Sequence, residues 1–185
     1  MIETVLLAVL IAKIKGYKLK PLFKTWAVYP SMAFTLFYIF LQISIFLGSY
    51  DFVKYAGLLE KLYILTFLPL ILEYELYKSA FVGSACIFIG TLLNKLAMSA
   101  NGGKMPVFPT LSYVTGYIKA DSFSKVKDIH TLGSNITKLK FLTDYIDIGY
   151  SILSIGDVFI RVFTFIIFFD VIKHLNISCI DGNDI

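Results

Sequence analysis

The sequence predicts an all-α fold: a helical integral membrane protein of about five transmembrane helices, with a long extramembrane segment containing interfacial amphipathic helices. Three observations predict it. Charged residues make up only 16% of the 185 and hydrophobic residues 57%, whereas soluble domains carry about 25% charged residues. The mean hydropathy is +0.76. Runs such as WAVYPSMAFTLFYIFLQISIFLG, starting at Trp26, are too long and apolar for a water-soluble core to hide. A bilayer accepts them with their backbone hydrogen bonds closed inside a helix.

The expected spans are 2–15, 26–47, 53–76, 79–98 and 150–172, each set against a requirement of roughly 20 apolar residues. The first, IETVLLAVLIA, has no positive region before it and no small-residue cleavage site, so it reads as a retained anchor helix. Lys13, Lys15, Lys18, Lys20 and Lys24 crowd the loop that follows. The positive-inside rule places that loop in the cytoplasm, the N-terminus outside and the C-terminus inside a multi-pass cell-membrane protein. Trp26, Tyr29, Tyr50, Tyr55, Tyr74 and Tyr77 fall near span ends, where amphipathic rings anchor helices at the interface. Pro69 is expected to kink the third span. In the fourth, Ser79, Gly83, Cys86, Gly90, Asn94 and Ala97 recur at spacings of three and four, a face for packing against another helix.

Residues 99–149 are too many for a structureless connection. In KLKFLTDYIDIGY, Leu139, Leu142 and Ile146 share a side at helical spacing, which predicts a helix lying along the membrane surface. DSFSKVKDIH, at 121–130, reads as another short amphipathic piece.

The formal charge of +4 comes from lysines scattered through loops, with Arg161 the single arginine. Membrane lipid is a sufficient partner for such a distribution, and nucleic acid is not expected. Cys86 and Cys179 lie in unlike surroundings and indicate neither a disulfide nor a metal site. His130 and His174 are separated by a span, so no metal is expected. NGGKMPVFP, 101–109, lacks the GxxxxGK[ST] pattern of a phosphate-binding loop, and no cofactor is expected.

The chemistry concentrates in two stretches. SILSIGDVFIRVFTFIIFFD, 151–170, buries Asp157 and Arg161 in an apolar span, each at an insertion cost on the order of 2.5–3.5 kcal/mol. Their four-residue separation, acid first, suits an ion pair, and Ser154 and Thr164 extend the same face. In NGGKMPVFP, Gly102 and Gly103 permit positive φ, Asn101 tolerates the left-handed region, and Pro106 and Pro109 stiffen the exit. It reads as a helix stop whose amides, with Lys104, offer a place for an anionic group. Asn94, Asn101, His130 and Asp144 are the polar groups available to converge on Asp157. The candidate ligand-binding residues are therefore Asn101, Gly102, Gly103, Lys104, His130, Asp144, Ser154, Asp157 and Arg161.

NGGKMPV after an apolar helix, a histidine-bearing stretch ending in FLTDYI, and SIGDVFI opening the last span resemble a family of small bacterial integral membrane proteins of unknown function. The resemblance carries NGGxMP onto Asn101, Gly102, Gly103, Met105 and Pro106, and SxGD onto Ser154, Gly156 and Asp157, with His130 and Asp144 between them. It implies a membrane protein and no particular activity. The chain is thus expected to be a non-enzymatic membrane protein, binding a polar or lipid-like ligand or serving as a subunit beside another membrane protein or a second copy of itself. The alternatives are an intramembrane enzyme using Asp157, Asp144 and His130 as acid, base and proton-transfer groups, and a small transporter acting as a homo-oligomer.

Overall fold

A computed structural model describes residues 2–119, 122–125 and 128–180. In chain order the elements are α1 (Ile2–Ile14), α2 (Tyr29–Phe46), α3 (Ala56–Leu65), α4 (Leu68–Glu73), α5 (Tyr77–Ala100), β1 (Met105–Val107), α6 (Leu111–Thr115), α7 (Ser122–Lys125), β2 (His130–Leu132), β3 (Ile146–Asp147), β4 (Ile152–Leu153) and α8 (Ile155–Ile180). The protein is mostly helical, and two helices, Trp26–Phe46 and Tyr77–Ala100, are long and apolar enough to cross a membrane. Only 22% and 17% of their apolar windows are buried within the protein. Leu36, Phe40, Phe81 and Phe88 on these helices are exposed.

Among the described residues, the number of helices long and apolar enough to cross differs from the expected five. The 13 residues of α1 rise only about 20 Å, short of a hydrocarbon core of roughly 30 Å. The 53–76 span is divided into α3 and α4 because Pro69 falls in the first turn of α4. A proline inside a continuous helix loses one bond and collides with the preceding turn, but at a helix start its missing N–H is no loss. The last helix starts at Ile155 and not near residue 150, since Ile152–Leu153 is a strand. It has 26 residues and carries Asp157, Arg161, Asp170 and Lys173.

The chain folds into two compact units. The first gathers Met1–Ile39, Leu59–Cys86 and Arg161–Ile185. Its centre is aromatic: the buried Phe67 ring meets Tyr63, Phe163 and Phe168 edge-on, with centroids 5.1, 5.4 and 5.5 Å away. Edge-to-face pairs of this kind add about 0.5–1.5 kcal/mol each to the burial of the rings. Gly83 is there because a Cβ would lie 2.6 Å from the Phe163 ring, and Ser79 Oγ donates to Asp170 Oδ2 at 2.6 Å.

The second unit comprises Phe40–Leu58 and Ile87–Ile160. Here α5 ends in a glycine turn, with Gly102 at φ +67° and Gly103 at +81°; the Gly103 N–H returns to Met98 O at 2.8 Å. The chain then enters β1, which pairs in parallel with β2, Met105 opposite His130 and Val107 opposite Leu132. β3 and β4 form an antiparallel pair, Ile146 opposite Leu153. Asp147 fastens this pair to α6: its carboxylate accepts Thr110 N at 2.7 Å, Ser112 N at 2.8 Å, Ser112 Oγ at 2.6 Å and Gly149 N at 2.8 Å. Those bonds outweigh the effect of burial and hold the Asp147 carboxyl below its ordinary range.

The amphipathic helix expected over KLKFLTDYIDIGY does not form. Only a 3-10 turn occurs, at Lys140–Leu142, followed by the extended residues of β3. The backbone around Asp144 bonds instead to residues of the β1 strand, a long-range pairing that helical spacing does not register. In DSFSKVKDIH, the helix α7 is limited to Ser122–Lys125; 120, 121, 126 and 127 lie outside the described residues.

Candidate functional site

The site is built on β1. Odd residues of the strand bond to β2: Met105 N donates to Ile129 O and Val107 O accepts Gly133 N, both at 2.8 Å. Even positions face the other way, where Asp144 N donates to Pro106 O at 3.1 Å and Phe108 N donates to Asp144 O at 2.8 Å. Pro106 is tolerated in the middle of this arrangement because that edge uses its carbonyl alone. His130 is level with Met105 and Asp144 with Val107. Parallel register therefore sets all four side chains on one face, and Met105 belongs as well to a buried cluster with Ala97 and Leu142.

On that face His130 lies between two carboxylates. Its Nδ1 is 2.5 Å from Asp128 Oδ2, and its Nε2 is 3.4 Å from Asp144 Oδ2. Asp128 also accepts the His130 N–H through Oδ1 at 2.9 Å, a local turn that fixes the ring. Lys104 Nζ donates to Asp128 O at 2.9 Å. Asp144 is 4% exposed, and its Oδ1 is buried without a hydrogen-bond partner among the described residues. Such an atom is costly to keep.

Burial, reinforced by the charge of Asp157 and opposed by His130, pushes the Asp144 carboxyl up to about 7. For His130 burial acts against the charged form, but the Asp128 hydrogen bond and the charges of Asp128, Asp144 and Asp157 outweigh it and hold the imidazole above its ordinary value. Asp128 is held low: burial raises it, and the His130 contacts with Lys104 more than compensate. His130 and Asp144 are thus each held towards the protonated form, with Asp128 orienting the ring. Near neutral pH this arrangement can give or take a proton, or accept a hydrogen bond from a donor group at Oδ1.

Asp157 contributes charge from the first turn of α8. Ser154 caps that helix reciprocally: its Oγ accepts Asp157 N at 2.9 Å while Asp157 Oδ2 accepts Ser154 N at 3.0 Å, the logic of a capping box. Asn94 of α5 completes the group, donating to Asp157 Oδ1 at 2.9 Å and accepting Ser154 Oγ at 2.7 Å. Gly156 allows this approach, since a Cβ there would lie 2.0 Å from Asn94 Oδ1 and 2.5 Å from Gly90 O.

Of the expected site residues, His130 and Asp144 meet directly, Ser154 and Asp157 form the helix cap beside Asn94, and Lys104 reaches the backbone of Asp128. Asn101 plays another part: its amide donates to Ala97 O at 2.8 Å and Lys138 O at 2.9 Å, and its Oδ1 accepts Lys138 N at 2.9 Å. It is a clamp, and the left-handed positions fall on Gly102 and Gly103. Arg161 pairs with Glu3 of α1 in the first unit, a partner distant in sequence. Asp128 was not among the expected residues; its signal is the Asp-x-His spacing, which allows a carboxylate to hold both the amide and the ring two residues on. Among the described residues no group of three or more His, Cys, Asp and Glu is arranged to hold a metal ion.

A family model described as a family of unknown function (DUF5317) matches residues 19–169. The chain belongs to the DUF5317 family. The part shared with DUF5317 contains NGGKMP, Asp128, His130, Asp144 and SIGD, together with Asn94. No curated protein and no solved structure matches the chain.

Proposed function

We propose that this protein is a non-enzymatic, multi-pass protein of the cell membrane that binds a polar or lipid-like ligand in the second unit, with Asp144 and His130 as its principal contacts. The two outward-facing apolar helices support the membrane reading. In it α2 and α5 cross the bilayer, α8 crosses with Asp157, Arg161 and Asp170 half-buried against the rest of the chain, and α1 and α3–α4 complete about five embedded segments by local thinning of the bilayer. The lysine-rich loop supports a cytoplasmic position for residues 13–24, hence an outer N-terminus and an inner C-terminus.

The observation that carries the ligand reading is Asp144 Oδ1, buried and without a hydrogen-bond partner among the described residues, beside His130. The carboxyls of Asp128, Asp144 and Asp157 outnumber the basic groups His130 and Lys104 and favour a ligand group that is cationic or donates hydrogen bonds, such as an ammonium or hydroxyl head group. The test is native mass spectrometry of the protein extracted from membranes, alongside Asp144→Asn. A small molecule or lipid retained by the parent and lost from a folded Asp144→Asn supports the reading. Identical retention, or none in either, removes it.

A second reading follows from the 3.4 Å approach of His130 Nε2 to Asp144 Oδ2: acid–base catalysis on a membrane-borne substrate, with Asp128 orienting the ring. Asp157 drops out of it, both its oxygens being engaged by Asn94 and Ser154. Turnover of a retained ligand that ceases in His130→Gln, with binding intact, would favour catalysis over binding alone.

A further inference from the structure

We infer that the loop from Ile136 to Phe141, with Tyr145, is a membrane-docking surface: its apolar side chains enter the head-group layer of an anionic bilayer, and Lys138 and Lys140 meet the lipid phosphates. The inference rests on the membrane reading above and does not involve the Asp144 carboxyl.

Three independent features point to it. The first is placement. Asn101 directly follows α5, and its side chain holds the backbone of Lys138 by two hydrogen bonds of 2.9 Å. The loop is therefore fixed at the end of a helix long enough to cross a membrane, the level at which head groups lie. The second is exposure. Ile136 is 89% exposed, Phe141 58% and Leu139 41%, and Leu139, Lys140, Phe141 and Tyr145 line an open groove of about 540 Å³. Apolar side chains gathered in this way mark an interaction surface. The third is charge: no acidic residue occurs from Gly133 to Thr143, and Lys138 and Lys140 are both exposed. Basic residues beside exposed apolar ones are the combination that anionic lipid surfaces attract.

Single-tryptophan variants test this directly, because Trp26 is the only tryptophan. In a Trp26→Phe background, Phe141→Trp and Ile136→Trp are placed in vesicles of phosphatidylcholine with and without phosphatidylglycerol. Lipids brominated near the head group or near the bilayer centre serve as depth quenchers. Phe88→Trp, on the outward face of α5, reports insertion. The expected result is blue-shifted emission from positions 136 and 141, quenched more by the shallow bromines than by the deep ones. Lys138→Gln with Lys140→Gln should diminish that quenching in vesicles containing phosphatidylglycerol. Emission at water wavelengths, quenched by aqueous iodide and not by bromolipid, overturns the docking surface while Phe88→Trp remains lipid-quenched. Loss of bromolipid quenching at Phe88→Trp as well overturns the membrane reading itself.

Discussion

Asn94 and Asp157 lie 63 residues apart and are joined by a 2.9 Å hydrogen bond from the Asn94 amide to Asp157 Oδ1. Because Asn94 Oδ1 also accepts the Ser154 hydroxyl, one amide holds both members of the helix cap. The start of α8 is thereby registered against α5, which places the Asp157 charge where it acts on Asp144 and His130.

Asn94→Ala should therefore destabilise the protein by about 1.5–3 kcal/mol, the usual worth of a hydrogen bond to a charged group. Asp157→Asn should cost less, roughly 0.5–2 kcal/mol for a damaged cap. Thermal unfolding in detergent micelles measures both. An Asn94→Ala variant that melts with the parent would show that the amide merely fills space.

Two glycines of the NGGxMP and SxGD motifs should differ in what their replacement costs. Gly156→Ala places a methyl 2.0 Å from Asn94 Oδ1, and its loss should exceed the roughly 1–3 kcal/mol of ordinary overpacking. Gly102→Ala meets no atom within 4 Å and should cost only the left-handed backbone, about 1–2 kcal/mol. Yield and monodispersity on size-exclusion chromatography distinguish them.

Stability should fall as pH rises towards neutrality. Asp144 titrates near 7 when folded, so between about pH 4 and pH 7 the folded chain keeps a proton that the unfolded chain has released. The contribution of His130, also raised, has the same sign: full below the unfolded imidazole value of about 6.5 and lost as pH climbs through the folded value. Asp144→Asn should be more stable than the parent at about pH 8, by roughly 1–4 kcal/mol, each tenfold change in proton affinity being worth about 1.36 kcal/mol. The difference should close towards about pH 4. Unfolding curves across this range check it, and a difference independent of pH would refute the assignment.

Arg161→Gln removes the cation from beside Glu3. Breaking a buried pair from one side costs about 3–5 kcal/mol, and the 26% exposure of Glu3 puts the loss at the lower end. The double variant Glu3→Gln with Arg161→Gln should regain most of it. A double-mutant cycle gives the coupling directly.

The apolar runs reveal the helices because a residue's preference for lipid or packing is carried by its own composition. The Ser79, Gly83, Gly90 and Asn94 stripe reveals a packing face for the same reason, and the structure supplies its contacts: Asp170 and Phe163 in the first unit, Gly156 and Asp157 in the second. His130, Asp144 and Asp157 stand out as polar anomalies one by one. What local pattern cannot convey is pairing at a distance. Strands of two or three residues, such as β1 and β3, are too short to establish a period, so helical spacing at Leu139, Leu142 and Ile146 dominates that stretch when it is read alone. Arg161 shows the same limit: Asp157 is near in sequence, and Glu3 is near in space.

The strand β1 also serves as a gauge. His130 stands on one side of it, level with Met105, and Asp144 on the other, level with Val107, so their backbones are separated by two strand spacings, about 9–10 Å across, and by two residues along the strand. The 3.4 Å between Nε2 and Oδ2 is what remains when one imidazole and one short carboxyl span that width. A peptide segment three residues long thus sets the gap between an imidazole and a carboxyl.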